Sequence, residues 1–226
     1  EAFLPLTTAV ESGYFAKIEK IKALRKVKQE SYLEKIPYSD FLVFDSIIRT
    51  LPHNCQLQIS NSSAIRYAQL MPIDASIEVF CNRGTSGIDG STSTAIGAAV
   101  ASDKAVVFVT GDVSFLYDSN ALWNSYIPNN FKIIIVNNGG GGIFRILPGH
   151  EENAVFNTYF ETSHQLTAEH LATMYGLTYI SATDKESVDS GLNQLHANNN
   201  LPTILEIFTP TIENDIILKQ YFKFLN

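Results

Sequence analysis

Apolar residues follow two rhythms along this chain. In "SDFLVFDSIIRTL" (39–51), Phe41, Phe44, Ile47, Ile48 and Leu51 recur three or four positions apart, which predicts an amphipathic helix capped by Ser39. In "KAVVFVTGD" (104–112) and "FKIIIVNN" (131–138) the apolar residues run on without alternation. Strands buried on both faces read that way, and they belong to parallel sheets covered by helices.

The two rhythms alternate to the last residue. Further strands are predicted at "CQLQIS" (55–60), "SIEVFCN" (76–82), "LTYISA" (177–182) and "PTILEIFTP" (202–210). Helices are predicted at "SAIRYAQL" (63–70), "STSTAIGAAVAS" (91–102), "DSNALWNSY" (118–126), "TAEHLATMYG" (167–176), "KESVDSGLNQLHANN" (185–199) and "NDIILKQYFKFL" (214–225). A long loop is expected after Asn138. The pattern implies a doubly wound α/β domain over 38–226, with a mainly parallel sheet and helices on both faces. Residues 1–37 differ. They are rich in charge, carry Ile18, Ile21 and Leu24 at helical spacing, and end at Pro37. They read as a helical linker arm rather than a core element.

Composition narrows the class. Among 226 residues, 45% are hydrophobic, which is enough for a sizeable core, yet no apolar run reaches membrane-spanning length. The net charge of −7 and the lack of a basic cluster argue against a nucleic-acid partner. Two cysteines, Cys55 and Cys81, are too few for a disulfide scaffold or a structural zinc site. They read as buried free thiols in a reducing, cytoplasmic protein. The five histidines (53, 150, 164, 170 and 196) lack ligand spacing and read as surface or loop residues.

Ligands of open parallel sheets bind at the carboxyl ends of strands. Here those ends are Asn61–Ser62–Ser63, Asn82–Arg83–Gly84, Gly111–Asp112 and Asn137–Asn138–Gly139–Gly140. Asp112 and Asn138 end successive buried strands, so their side chains are expected to be neighbours. A carboxylate, a carboxamide oxygen and a free glycine carbonyl make half of an oxygen shell, suited to magnesium held with phosphate oxygens. Glycines 139–142 are expected to let backbone N–H groups approach a phosphate. A helix starting near Asp118 would point its positive end at the same place. No GxxxxGK[ST] occurs and no GxGxxG follows the first strand, so Walker-type and nicotinamide sites are disfavoured.

"GDV" followed at this distance by "NN" resembles the signature of thiamin diphosphate enzymes, with Val113 where a glycine is usual. The blocks "SNSSAIRYAQL", "NRGTSGIDGSTSTAIGAA", "GDVSFLYDSNALW" and "NNGGGGIFRILP" are similar to the 2-succinyl-5-enolpyruvyl-6-hydroxy-3-cyclohexene-1-carboxylate synthase family of menaquinone biosynthesis. The likeness covers about residues 38–226.

That resemblance implies thiamin diphosphate with Mg2+ or Mn2+ as cofactors. It implies that Asp112, Asn138 and the Gly140 carbonyl hold the ion. Ile88 would wedge between the cofactor's two rings, with Ser86 and Gly87 flanking its pyrimidine side. Gly111, Val113, Ser114, Gly141 and Ile143 would complete the cofactor seat. Ser62, Arg66 and Arg83 would meet the substrates, with Ile143, Phe144 and Leu147 walling their pocket. Taken alone, Arg66 reads as a solvated helix arginine, and Arg145 has no assigned role.

The implied reaction decarboxylates 2-oxoglutarate and adds the resulting carbanion to isochorismate. Both substrates are dicarboxylates, which suits arginine partners. The activating glutamate of such enzymes lies on a separate pyrimidine-binding domain, which nothing in residues 1–36 can supply. The chain also lacks an initiator Met. It is therefore expected to be a C-terminal fragment, inactive alone. Its partners would be upstream pyrimidine-binding and middle domains, in a homodimer or homotetramer. Two alternatives stay open: another thiamin diphosphate enzyme, acetolactate synthase-like or a decarboxylase, or a non-catalytic nucleotide-binding module.

Overall fold

The computed structural model describes residues 6–8, 11–149, 151–197 and 201–225. Six strands form one sheet: β1 (Gln56–Ile59), β2 (Glu78–Cys81), β3 (Val106–Gly111), β4 (Phe131–Asn137), β5 (Thr178–Ala182) and β6 (Thr203–Phe208). Their order is β2-β1-β3-β4-β6-β5, and every pairing is parallel. Nine α-helices are described around it: α1 (Tyr14–Leu33), α2 (Asp40–Thr50), α3 (Ser63–Ala68), α4 (Ser91–Val100), α5 (Asp112–Tyr117), α6 (Ile143–Ile146), α7 (Glu169–Tyr175), α8 (Lys185–Ala197) and α9 (Asn214–Leu225). The doubly wound α/β expectation holds.

The unbroken apolar runs have a direct physical reason. Side chains alternate across a strand, so a strand covered on both faces is apolar at most positions. Val107 and Val109 of β3, with Ile134 and Val136 of β4, pack into a core shared with residues of α1, α2, α3, α8 and α9. Val106 and Phe108, with Phe131, Ile133 and Ile135, pack into a second core with residues of α4, α5 and α7. The edge strand β2 lies outside this sandwich, with Val79 and Phe80 exposed. Cys55 is buried as expected, whereas Cys81, on that edge, is only half-buried.

The first helix is more than a linker. Ile21 and Leu24 are exposed, but Tyr32 is buried in the first core and donates its hydroxyl to the Ile217 carbonyl at 2.6 Å. Phe41, Phe44, Ile47, Ile48 and Leu51 are all buried, as the α2 pattern requires. The cap differs from expectation. The Ser39 hydroxyl bonds back to Pro37, and the Asp40 N–H donates to Asn214 Oδ1 of α9 at 2.8 Å. The loop expected after Asn138 contains α6 and a π-helical turn, Phe156–Glu161.

After β1 the chain winds outward to β2, then returns past β1 to place β3 on its other side. The crevice where the winding reverses lies at the carboxyl ends of β1 and β3, the place where such sheets bind ligands.

Candidate cofactor site

A cavity of about 590 Å³ opens at that crevice. Ser62, Arg66, Arg83, Ser86, Ile88, Gly111, Asp112, Val113, Ser114, Asn138, Gly140, Gly141, Ile143, Phe144 and Leu147 all line it. Gly87 does not. It sits behind the wall, with its carbonyl accepting from Asn61 Nδ2 at 2.7 Å.

Strand register explains why Asp112 and the Asn138 turn meet. Gly111 pairs with Val136, so the next residues on each strand leave the sheet side by side. Asp112 is buried, and its Oδ2 accepts from the N–H groups of Gly139 and Gly140, both at 2.9 Å. Its Oδ1 accepts from the Val113 N–H at 2.7 Å. These bonds revise the expected role of the glycines. The Gly141 N–H donates to the Glu161 carbonyl at 2.6 Å, and the Gly142 N–H to the Gly140 carbonyl at 3.0 Å. All four glycine N–H groups are therefore satisfied within the protein rather than aimed at a phosphate, and the Gly140 carbonyl is already half-used. Glycine is required because this turn lies against segment 160–164. A β-carbon on Gly139 would sit 3.3 Å from the His164 carbonyl, and one on Gly141 would sit 3.0 Å from the Phe160 carbonyl.

Asn138 differs from its neighbours. Its Nδ2 donates to Asp40 Oδ2 at 3.0 Å, while its buried Oδ1 has no hydrogen-bond partner. A buried carbonyl oxygen left unpaired costs free energy, so an oxygen held this way suits a cation or another ligand. Asp112 and Gly140 line the same cavity as Asn138. The donor set is all oxygen, with one carboxylate and two amide-type groups, which fits a hard divalent ion such as magnesium. Among the described residues, no three His, Cys, Asp or Glu side chains form a metal cluster.

Asp40, at the start of α2, was not legible from the sequence. Burial pushes its carboxyl pKa up to about 6, opposed by hydrogen bonds from Thr209 and Asn138 and assisted by the nearby Asp112 charge. His164 was also missed. It is half-buried, with Nε2 3.3 Å from Asp112 Oδ2, and that carboxylate raises the imidazole pKa against the effect of burial. Its position depends on the 160–164 segment folding back over the glycines, which no sequence pattern signals. His53 and His170 are exposed and His196 is half-buried, while His150 lies outside the described residues.

The helix expected from Asp118 starts at Asp112 instead. Asp118 is buried and accepts from Ser93 N–H and Oγ, both at 2.7 Å, which ties it to the first turn of α4. A 3₁₀ turn, Ser119–Trp123, follows.

The opposite wall is held by Asn61 at the end of β1. Its Nδ2 also donates to the Asn82 carbonyl at 2.5 Å, and its Oδ1 accepts from Arg83 Nη1 at 3.2 Å. Ser114 Oγ donates to the Ile88 carbonyl at 2.6 Å, fixing that residue over the first turn of α5. Ser62 and Ser86 both adopt positive φ, at 72° and 59°, a strained conformation for residues with a β-carbon and one that often marks a working site. Arg66 and Arg83 are exposed on the cavity rim, with Tyr159 and Phe160 adding aromatic cover.

Comparison with known proteins decides the family. Residues 62–207 match the model for the thiamine pyrophosphate enzyme, C-terminal TPP binding domain. The chain belongs to that family. This thiamine pyrophosphate-binding domain is 70% identical over 220 residues to the 2-succinyl-5-enolpyruvyl-6-hydroxy-3-cyclohexene-1-carboxylate synthase of Flavobacterium johnsoniae, covering 97% of the chain and 40% of the relative. It is 61% identical over 221 residues to the synthase of the same name from Flavobacterium psychrophilum, covering 98% of the chain and 40% of the relative. The chain thus spans about 40% of the length of these curated relatives. A solved structure, the thiamine diphosphate-dependent 4-hydroxybenzoylformate decarboxylase of Rhodococcus jostii RHA1, superposes with a TM-score of 0.59 at 23% identity. That match covers 79% of this chain and 34% of the decarboxylase, and it supports the fold alone. Among the described residues, no helix of this thiamine pyrophosphate-binding domain is long and apolar enough to cross a membrane.

Proposed function

We propose that this domain seats the diphosphate and metal of thiamin diphosphate in a synthase that decarboxylates 2-oxoglutarate and joins the remaining four-carbon unit to isochorismate, in menaquinone biosynthesis. One observation carries the site reading: the buried, unpaired Asn138 Oδ1 beside Asp112 in the crevice cavity. The substrate reading is supported by the 70% identity to a synthase of that name.

In this reading Asp112, Asn138 and the Gly140 carbonyl hold Mg2+ or Mn2+ against the diphosphate. When bound, thiamin diphosphate supplies an electron sink for the carbanion that decarboxylation leaves. The chain's own residues do the rest. Ile88, pinned through its carbonyl by Ser114, offers a fixed apolar edge to the cofactor, with Ser86 and Gly87 beside it. Arg66 and Arg83 offset the carboxylates of anionic substrates on a protein whose net charge is −7. Asn61 limits where the Arg83 guanidinium can point. Ser62 lines the same crevice. Ile143, Phe144 and Leu147 form an apolar wall that keeps water from the reacting carbon.

The activating glutamate belongs to a pyrimidine-binding domain outside this chain, with the complete site formed in a homodimer or homotetramer. In this reading residues 1–37 are the arm leading to the cofactor domain of 38–226, and Lys28, Gln29 and Tyr32 of α1 bond to that domain. Titration calorimetry of the intact protein tests the cofactor reading. Thiamin diphosphate should bind only with Mg2+ present, and Asp112→Ala should abolish that binding. Metal-independent binding, or a preference for ATP, would overturn the reading.

A further inference from the structure

The Asn138 carboxamide can face the cavity with either of two ends. They are nearly identical in shape, but only the oxygen can bind a cation. The sequence around Asn138 does not decide between them; the contact with Asp40 does. Asn138 Nδ2 donates to Asp40 Oδ2 at 3.0 Å. A flipped amide would set its oxygen against that carboxylate, placing two acceptors face to face inside the protein. Asp40 is 2% exposed and Asn138 9%, so water cannot relieve the clash.

Asp40 is itself held from two sides. Its Oδ1 accepts from Thr209 Oγ1 at 2.6 Å, and its backbone N–H donates to Asn214 Oδ1 at 2.8 Å. Its two carboxylate oxygens are thereby fixed, one on Thr209 and the other on Asn138, which sets the orientation of Asp40 behind the carboxamide. Gly142 adds a steric condition, because a β-carbon there would lie 3.2 Å from Asn138 Nδ2.

We propose that Asp40 is a positioning residue that locks the Asn138 carboxamide with its oxygen turned into the cofactor cavity, ready for a divalent cation. The proposal rests on the reading of Asn138 as an ion ligand. Groups that orient a metal ligand from behind typically change metal affinity by about 10–100-fold when removed.

The test is Mn2+ binding to the intact protein with thiamin diphosphate present, followed by electron paramagnetic resonance, with thermal melts as a folding control. Asp40→Ala should weaken Mn2+ binding about 10–100-fold. Asp40→Leu fills nearly the same space without an acceptor, should do the same, and serves if the alanine variant does not fold. Asp40→Asn should stay within about threefold of wild type, since its own carbonyl still accepts from Asn138 while its amide faces the Thr209 hydroxyl. In an Asn138→Asp background both ends of residue 138 are oxygen, so Asp40→Ala should no longer weaken binding. The proposal is overturned if Asp40→Asn is as damaging as Asp40→Ala, or if the loss persists in that background. If Asn138→Ala leaves Mn2+ binding unchanged, the reading of Asn138 as a ligand fails. If Asn138→Ala abolishes binding while Asp40→Ala and Asp40→Leu do not weaken it, only the positioning role fails.

Discussion

The carbonyl oxygen of Glu161 lies 2.7 Å from the point a β-carbon on Gly140 would occupy. No real side chain tolerates that approach, and the φ of 155° at Gly140 adds strain for any other residue. Gly140→Ala should therefore cost about 1–3 kcal/mol, read as a lowered urea midpoint at unchanged slope. Gly97→Ala is the control. Gly97 is exposed in the middle of α4 with open space around it, so alanine there should stabilise by about 0.5–1 kcal/mol.

Glu161 also forms a buried ion pair with Arg145, through both guanidinium Nε and Nη2. This pair fastens the π-helical turn to α6, and hence Phe160 to Phe144 on the cavity wall. Removing one partner strands a buried charge. Arg145→Met or Glu161→Leu alone should destabilise the protein by about 3–5 kcal/mol in chemical denaturation. The double replacement should recover most of that loss, because no buried charge is then left unpaired and the exposed Glu152 is solvated.

Helix α2 takes its cap from a residue 174 positions away, Asn214. Asn214→Ala should cost about 1 kcal/mol, measured as a drop in Tm. Ser39→Ala should cost less, because its hydroxyl bonds to Pro37 and leaves the α2 N–H groups alone.

Burial pushes the Cys55 thiol pKa up to about 11, so almost no thiolate exists there at pH 8. Cys81 is half-buried on the sheet edge, where burial also raises its pKa but the Arg83 charge opposes the rise. Labelling of the folded protein with a thiol-reactive dye at pH 8 should modify one cysteine, and Cys81→Ser should abolish it. Both should react in denaturant.

The sheet was legible because β3, β4 and β6 face two cores and are apolar at most positions, with buried exceptions such as Lys132 and Glu206. Asp112 and Asn138 were legible as neighbours because parallel register carries one strand end beside the next. The long-range polar contacts were not. Asn214 capping α2, Asp40 backing Asn138, and His164 beside Asp112 each join segments that only the finished fold brings together, and none has a local pattern. Asp118 misled for a related reason. An acidic residue before "SNALW" reads as a helix start, yet its carboxylate serves α4, and the helix that matters begins at the strand end itself.

The hydrogen bond from Thr209 to Asp40 joins positions 169 apart in the chain. A contact that distant carries a loop-closure cost, which the docking of the intervening strands repays. The wall that presents Asn138 thus draws on α2, β4 and the segment after β6 together. Binding there, as proposed, would then report on the assembly of the whole domain rather than of any one element.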